Sequence, residues 1–184
     1  MDAFEELVAQ ILWTDGYWVQ TSVKVKLKPE DKIAIGRPSS PRWEIDVVGY
    51  RGRDNILRIV ECKSFLDSPG VRFKSFNNVI SDEPQRYKLF TDHNLRKVVF
   101  NRLKLQLAES GACREDAHIE LCLACGRIAS DIDRENLRAH FIQNDWELLD
   151  EKWLREGLHR MSKGSYENQV SAVVSKLLLR NKID

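Results

Sequence analysis

The sequence predicts an α/β domain built on a mixed central sheet flanked by helices. Three observations carry that expectation. The chain opens on a helix-spaced apolar pattern and then runs through three strand-like stretches between residues 20 and 65. A later, nearly continuous apolar run, HIELCLACG, is bracketed by helical patterns. At 184 residues the chain has the size of one domain with a sizeable core.

Taken in order, Phe4, Leu7, Val8, Ile11 and Leu12 recur at helical spacing until Asp15-Gly16 ends the run. In TSVKVKLKP, Val23, Val25 and Leu27 share one face and Lys24, Lys26 and Lys28 the other. Such a lysine face suits an edge strand. PEDKIAIGRPSSP reads as a connection, and RWEIDVVGY and NILRIVECKSF as two strands joined by the polar turn RGRD. LDSPGVRFKSFNNVISDEP reads as a long loop carrying Arg72 and Lys74. A helical pattern follows from Pro84 to about Ser110, with a break near Asp92-His93-Asn94. HIELCLACG has the character of a strand buried on both faces. DRENLRAHFIQ, WELLDEKWLREGLHRM and ENQVSAVVSKLLLR supply further helical material. The expected organisation is a core over residues 1–145, with a C-terminal helical extension over 146–184 packed on the same domain.

Composition narrows the function. The start MDAFEELVAQ is acidic and helical, so no secretory signal is expected, and no apolar run is long enough to cross a bilayer. A cytoplasmic location with reduced Cys62, Cys113, Cys122 and Cys125 follows as an expectation. Zinc is not expected on Cys113, His118, Cys122 and Cys125, because Cys122 and Cys125 would face opposite sides of a strand. No GxxxxGK phosphate loop is present, so no ATP-driven motor is encoded. The net charge of +1 hides an asymmetry: residues 20–104 hold 18 Lys+Arg against 10 Asp+Glu, and residues 105–151 hold 4 against 11. The basic part is expected to attract phosphates, and the acidic part offers a surface for a protein partner.

The stretch IVECKSF places Glu61 and Lys63 on one strand face above Leu57 and Ile59. In the preceding strand Glu44, Asp46 and Val48 share a face opposite Trp43, Ile45 and Val47. Paired as a hairpin, these strands bring Asp46 and Glu61 together, and two such carboxylates repel unless a cation joins them. Hard oxygen donors suit Mg²⁺ or Mn²⁺, and an ammonium beside a metal-bound water can orient it and stabilise phosphoryl charge. A structural Glu–Lys pair is the alternative reading of the ExK triplet taken alone. On the opening helix, Glu5 lies on the rim of the apolar face, whereas Glu6 points away from it and reads as a solvated surface charge.

The pattern Glu44-Ile45-Asp46-Val47-Val48, a hairpin, then Ile59-Val60-Glu61-Cys62-Lys63 resembles the core of the PD-(D/E)XK nuclease superfamily. Ile45 stands where the proline of that name would be. The opening FEELVAQIL followed by Gly16-Tyr17 resembles the first helix of Mrr-like restriction endonucleases and archaeal Holliday junction resolvases. The resemblance covers residues 1–65 well and the order of elements to about residue 140. It implies a restriction endonuclease-like αβββαβ core and a Mg²⁺- or Mn²⁺-dependent endonuclease acting on DNA. Asp46 and Glu61 would hold the metal with Glu5 in support, and Lys63 would act on the attacking water. Gln85, Ser64 and Glu44 are auxiliary candidates, each with a competing capping or surface role. Lys24, Lys26, Arg42, Arg72 and Lys74 would hold backbone phosphates. Restriction or defence, repair and junction-resolving roles stay open, as does an RNA substrate. A nuclease-like binding or assembly module without cleavage is the alternative. The apolar C-terminal stripes would pack on the core or make a homodimer.

Overall fold

A computed structural model describes residues 2–37, 43–76, 86–164 and 169–180. A five-stranded mixed sheet runs in chain order: β1 (Trp18–Val25), β2 (Trp43–Arg51), β3 (Ile56–Lys63), β4 (His118–Cys125) and β5 (Trp146–Leu149). The first three strands form an antiparallel meander, and β3, β4 and β5 are parallel. Helix α1 (Ala3–Thr14) precedes the sheet, and α2 (Pro29–Ala34) lies between β1 and β2. Helices α3 (Lys88–Thr91) and α4 (His93–Glu109) connect β3 to β4, and α5 (Asp131–Gln143) connects β4 to β5. The chain ends on α6 (Glu151–Lys163), α7 (Val170–Ser175) and a wide turn over Lys176–Arg180.

Each face of the sheet is covered. Leu95, Val99, Leu103 and Leu107 recur every fourth residue along α4 and join Leu137 and Phe141 of α5 against one face. Both parallel crossovers lie on that face, as two right-handed connections made in the same direction must. Phe4, Val8, Ile11 and Leu12 of α1 pack on the other face with Leu154 and Met161 of α6. The start of α1 is fixed by a capping box: Asp2 accepts from the amides of Phe4 and Glu5, and the Asp2 amide donates to Glu5. Edge strand β1 is protected through its backbone as well as by its lysines. The side-chain amide of Gln106 accepts from the Lys26 N–H at 3.0 Å and donates to the Lys24 carbonyl at 3.2 Å.

Three expectations change. WELLDEKWL splits into β5 and α6, because Asp150 leaves the helical pattern and caps α6 by accepting from Lys152 and Trp153. The PEDKIA stretch forms α2, started by Pro29 and by Asp31 accepting from the Lys28 amide at 2.8 Å. Glu6 is half-buried and accepts from the Gln10 side chain, in a groove shared with α7, rather than being a solvated charge. The expected break near Asp92 is present, with Asp92 capping α4 through the Leu95 amide. No described helix is long and apolar enough to cross a membrane.

Candidate active site

The strand alternation read from the sequence breaks at one step, and that step shapes the site. Ile45 packs in the α4–α5 core layer and Val47 in the α1–α6 layer, although two residues apart on an ideal strand would share a face. On β1, Val19 and Val23 part in the same way. The register that pairs Thr21 with Val47 and Val23 with Ile45 sets Ser22 across from Asp46, and Ser22 there has φ +52°. Both strands therefore turn over at Ser22–Asp46.

Strand β2 leaves β3 at the same place. The last ladder pair is Val47 with Val60, and the next step of the same register would set Asp46 across from Glu61. The side chain of Asp46 then replaces the missing backbone acceptor: the Cys62 N–H donates to Asp46 Oδ2 at 2.7 Å. Glu61 and Lys63 continue the face of Leu57 and Ile59, as their spacing predicts, and form an ion pair with Lys63 Nζ 2.7 Å from Glu61 Oε1. Both side chains are about one-fifth exposed, at 17 % and 22 %.

The carboxylates feel one another. Burial raises the Glu61 pKa above its ordinary value, and Asp46 and Glu5 push it further up, while Lys63 pulls the other way. Glu5 is likewise raised, by burial first and then by Asp46. The Lys63 pKa is raised although burial opposes it, because Glu61 and Asp46 favour its charged form. Burial also drives the Cys62 thiol well up, so it remains protonated between its charged neighbours. Among the described residues no three His, Cys, Asp or Glu side chains are grouped closely enough to hold a metal ion.

The remaining sequence candidates separate. Glu44 is exposed on β2 across from Lys24, and Lys24, Lys26, Ser64, Arg72 and Lys74 are all exposed. Arg42 and Gln85 lie outside the described residues. The four cysteines are free and buried, with Cys122 in one core layer and Cys125 in the other. Sequence reasoning missed the segment after β4. The Gly126 N–H donates to the Lys63 carbonyl at 3.1 Å, and a Cβ on Gly126 would sit 2.2 Å from the Ser64 carbonyl oxygen. Only glycine lets the two chain segments approach so closely beside Lys63. Beyond it, Asp150 and Glu151 are matched by Arg134 and Arg138: Arg134 lies 3.1 Å from Asp150 and 2.7 Å from Glu151, and Arg138 lies 2.8 Å from Asp150.

Compared against protein-family models, curated proteins and solved structures, the chain matches none.

Proposed function

We propose that the chain is a metal-dependent endonuclease of the PD-(D/E)XK kind, with a restriction endonuclease-like core, that hydrolyses phosphodiester bonds in DNA. The observation that carries this reading is the juxtaposition at the carboxyl end of β3: the Cys62 N–H holds Asp46 at 2.7 Å, next to Glu61 with Lys63 2.7 Å from it, and burial together with Asp46 raises the pKa of both Glu61 and Glu5. The order α1, β1, β2, β3, α4, β4 supports the same reading, since it follows the αβββαβ pattern once the short helices are set aside.

The donor chemistry fits a hard divalent ion. Asp46 and Glu61 would hold Mg²⁺ or Mn²⁺, with Glu5 supporting them. Glu61 would exchange its contact with the Lys63 ammonium to do so. Bound there, the ion would acidify a water and neutralise charge on a phosphoryl oxygen. Lys63 is held in its charged form, so it acts as a donor and a fixed positive charge rather than as a base. It would orient the attacking water and stabilise the phosphorane-like charge. Cys62 contributes its backbone N–H, which fixes the Asp46 carboxylate.

One specific observation favours a second reading, a binding or assembly module without cleavage. Asp46 and Glu61 already have partners, in the Cys62 N–H and the Lys63 ammonium, and no described trio is gathered for a metal. Incubating duplex, single-stranded and four-way-junction DNA with Mg²⁺, Mn²⁺ or EDTA separates the two. Metal-dependent cutting by wild type that is lost in Asp46→Asn and Lys63→Ala supports the nuclease. Binding without cutting, equal in all three proteins, supports the module.

A further inference from the structure

We infer that Arg72 and Arg127 form a two-point grip on the phosphodiester backbone of the polynucleotide, on the α5 side of Lys63. This rests on the nuclease reading and adds to it a substrate-holding pair, one member of which the sequence motifs do not touch.

The two residues are joined through their neighbours. Val71 and Ile128 form an isolated parallel bridge, with the Val71 N–H donating to the Arg127 carbonyl at 2.9 Å and the Ala129 N–H donating to the Val71 carbonyl at 2.9 Å. Gly70, at φ +101°, passes so close that a Cβ there would lie 2.8 Å from the Arg127 carbonyl oxygen. Val71 and Ile128 are both buried, so the alternation of extended backbone turns Arg72 and Arg127 outward, and both are exposed.

The backbone under both is fixed. After Arg72, the Phe73 N–H donates to Asp133 Oδ1 at 2.8 Å, and Phe76 packs on Phe90 and Phe141 with ring centroids 5.5 Å away in each case. Before Arg127, Gly126 is bonded to the Lys63 carbonyl. The pair is thus carried on the same piece of backbone as the candidate catalytic lysine.

Their charge is uncommitted. Arg51, Arg58, Arg102, Arg134, Arg138 and Arg160 each pair with a carboxylate. Among the described residues neither Arg72 nor Arg127 has a hydrogen-bond or ion-pair partner for its side chain. The acids packed beside them are engaged elsewhere: Asp133 by Phe73 and Ser130, and Asp150 and Glu151 by Arg134 and Arg138. Asp67, in the segment before Gly70, and Asp131, the first residue of α5 and 3.9 Å from Arg134, are exposed and occupy neither guanidinium. Two exposed guanidiniums can each meet phosphate oxygens in bidentate fashion, and because their backbone is already fixed, binding has to order only the side chains.

The test is the salt dependence of binding to a short labelled DNA duplex in EDTA, where cleavage does not interfere. Each neutralised phosphate contact contributes about 0.9 to the slope of log K against log salt. Arg72→Ala and Arg127→Ala should each flatten the slope by about 0.9, and the double variant by about 1.8. Arg155→Ala, at an exposed position on α6, should leave it unchanged. Equal unfolding midpoints check that the variants are folded. If the wild type binds and the double variant keeps its slope, the grip is wrong and the nuclease reading stands. If the wild type binds no duplex, the grip is likewise wrong, and the cleavage assay above decides the nuclease reading separately.

Discussion

The two ends of the β2–β3 hairpin handle charge in opposite ways. Toward the turn, about 10 Å down β3 from Glu61, the two arginines that lie over Tyr17 each have an acid. Arg58 meets Glu120 at 2.9 Å and Arg51 meets Asp54 at 2.6 Å, and both guanidiniums lie over the ring of Tyr17, at 5.0 and 4.3 Å. Toward the splayed end, Asp46, Glu61 and Glu5 interact electrostatically, and Lys63 is ion-paired with Glu61. A structural ion pair balances itself, whereas a surplus of half-buried carboxylate is costly until a cation arrives. Balance at one end and surplus at the other distinguish charge that holds the fold from charge suited to a ligand.

The sharpest way to break this comparison is chemical. Under the nuclease reading, Asp46→Asn or Lys63→Ala should reduce metal-dependent cleavage at least about a hundredfold. Glu120→Gln should leave cleavage within about twofold, since it lies outside the reaction. Stability should show the reverse pattern. Glu120→Gln strands the Arg58 guanidinium, whose side chain is 16 % exposed, and should cost about 2 kcal/mol in urea unfolding. A smaller gain is expected from Tyr17→Phe. The Tyr17 hydroxyl is buried without a hydrogen-bond partner among the described residues, and removing it should add about 1 kcal/mol.

The smallest effect is linked to pH. Glu61 and Glu5 have folded pKa values raised above the ordinary carboxylate value. Such groups add stability below their unfolded pKa that is lost as pH rises through the folded one. Glu5→Gln keeps the capping box, since glutamine can make the same contact, and removes one titrating group. Relative to wild type, this variant should become more stable by roughly 0.5 kcal/mol as pH goes from acidic to neutral. The comparison must be a difference between the two proteins, because Asp31, Asp150 and Glu151 have lowered pKa values and tilt the profile the other way. A difference that is flat with pH would show that Glu5 is not part of the repelling cluster.

Much of this was legible in the sequence for identifiable physical reasons. The apolar spacing of α1, the break at Asp92 and the buried run of β4 are local patterns. The shared face of Glu61 and Lys63 with Leu57 and Ile59 follows from strand period alone. The turnover at Ser22–Asp46 was not legible, because a serine at positive φ leaves no compositional mark and the register sets it opposite Asp46. Nor was β5, since WELLDEKWL keeps a helical apolar rhythm across a cap that only tertiary pairing reveals. The acidic run from 105 to 151 reads as a surface, yet Asp133 accepts from the Phe73 amide, Asp150 caps α6, and Asp150 and Glu151 pair with Arg134. Arg127 carries no motif at all, and its place beside Lys63 comes from the β3–β4 register and the bridge that follows it.

The surplus of carboxylate is most directly tested by titrating Mn²⁺ into wild type and Asp46→Asn by calorimetry at neutral pH. The account predicts saturable binding by the wild type that is lost in Asp46→Asn and retained in Glu120→Gln. Equal binding by wild type and Asp46→Asn, or none by the wild type, would contradict it.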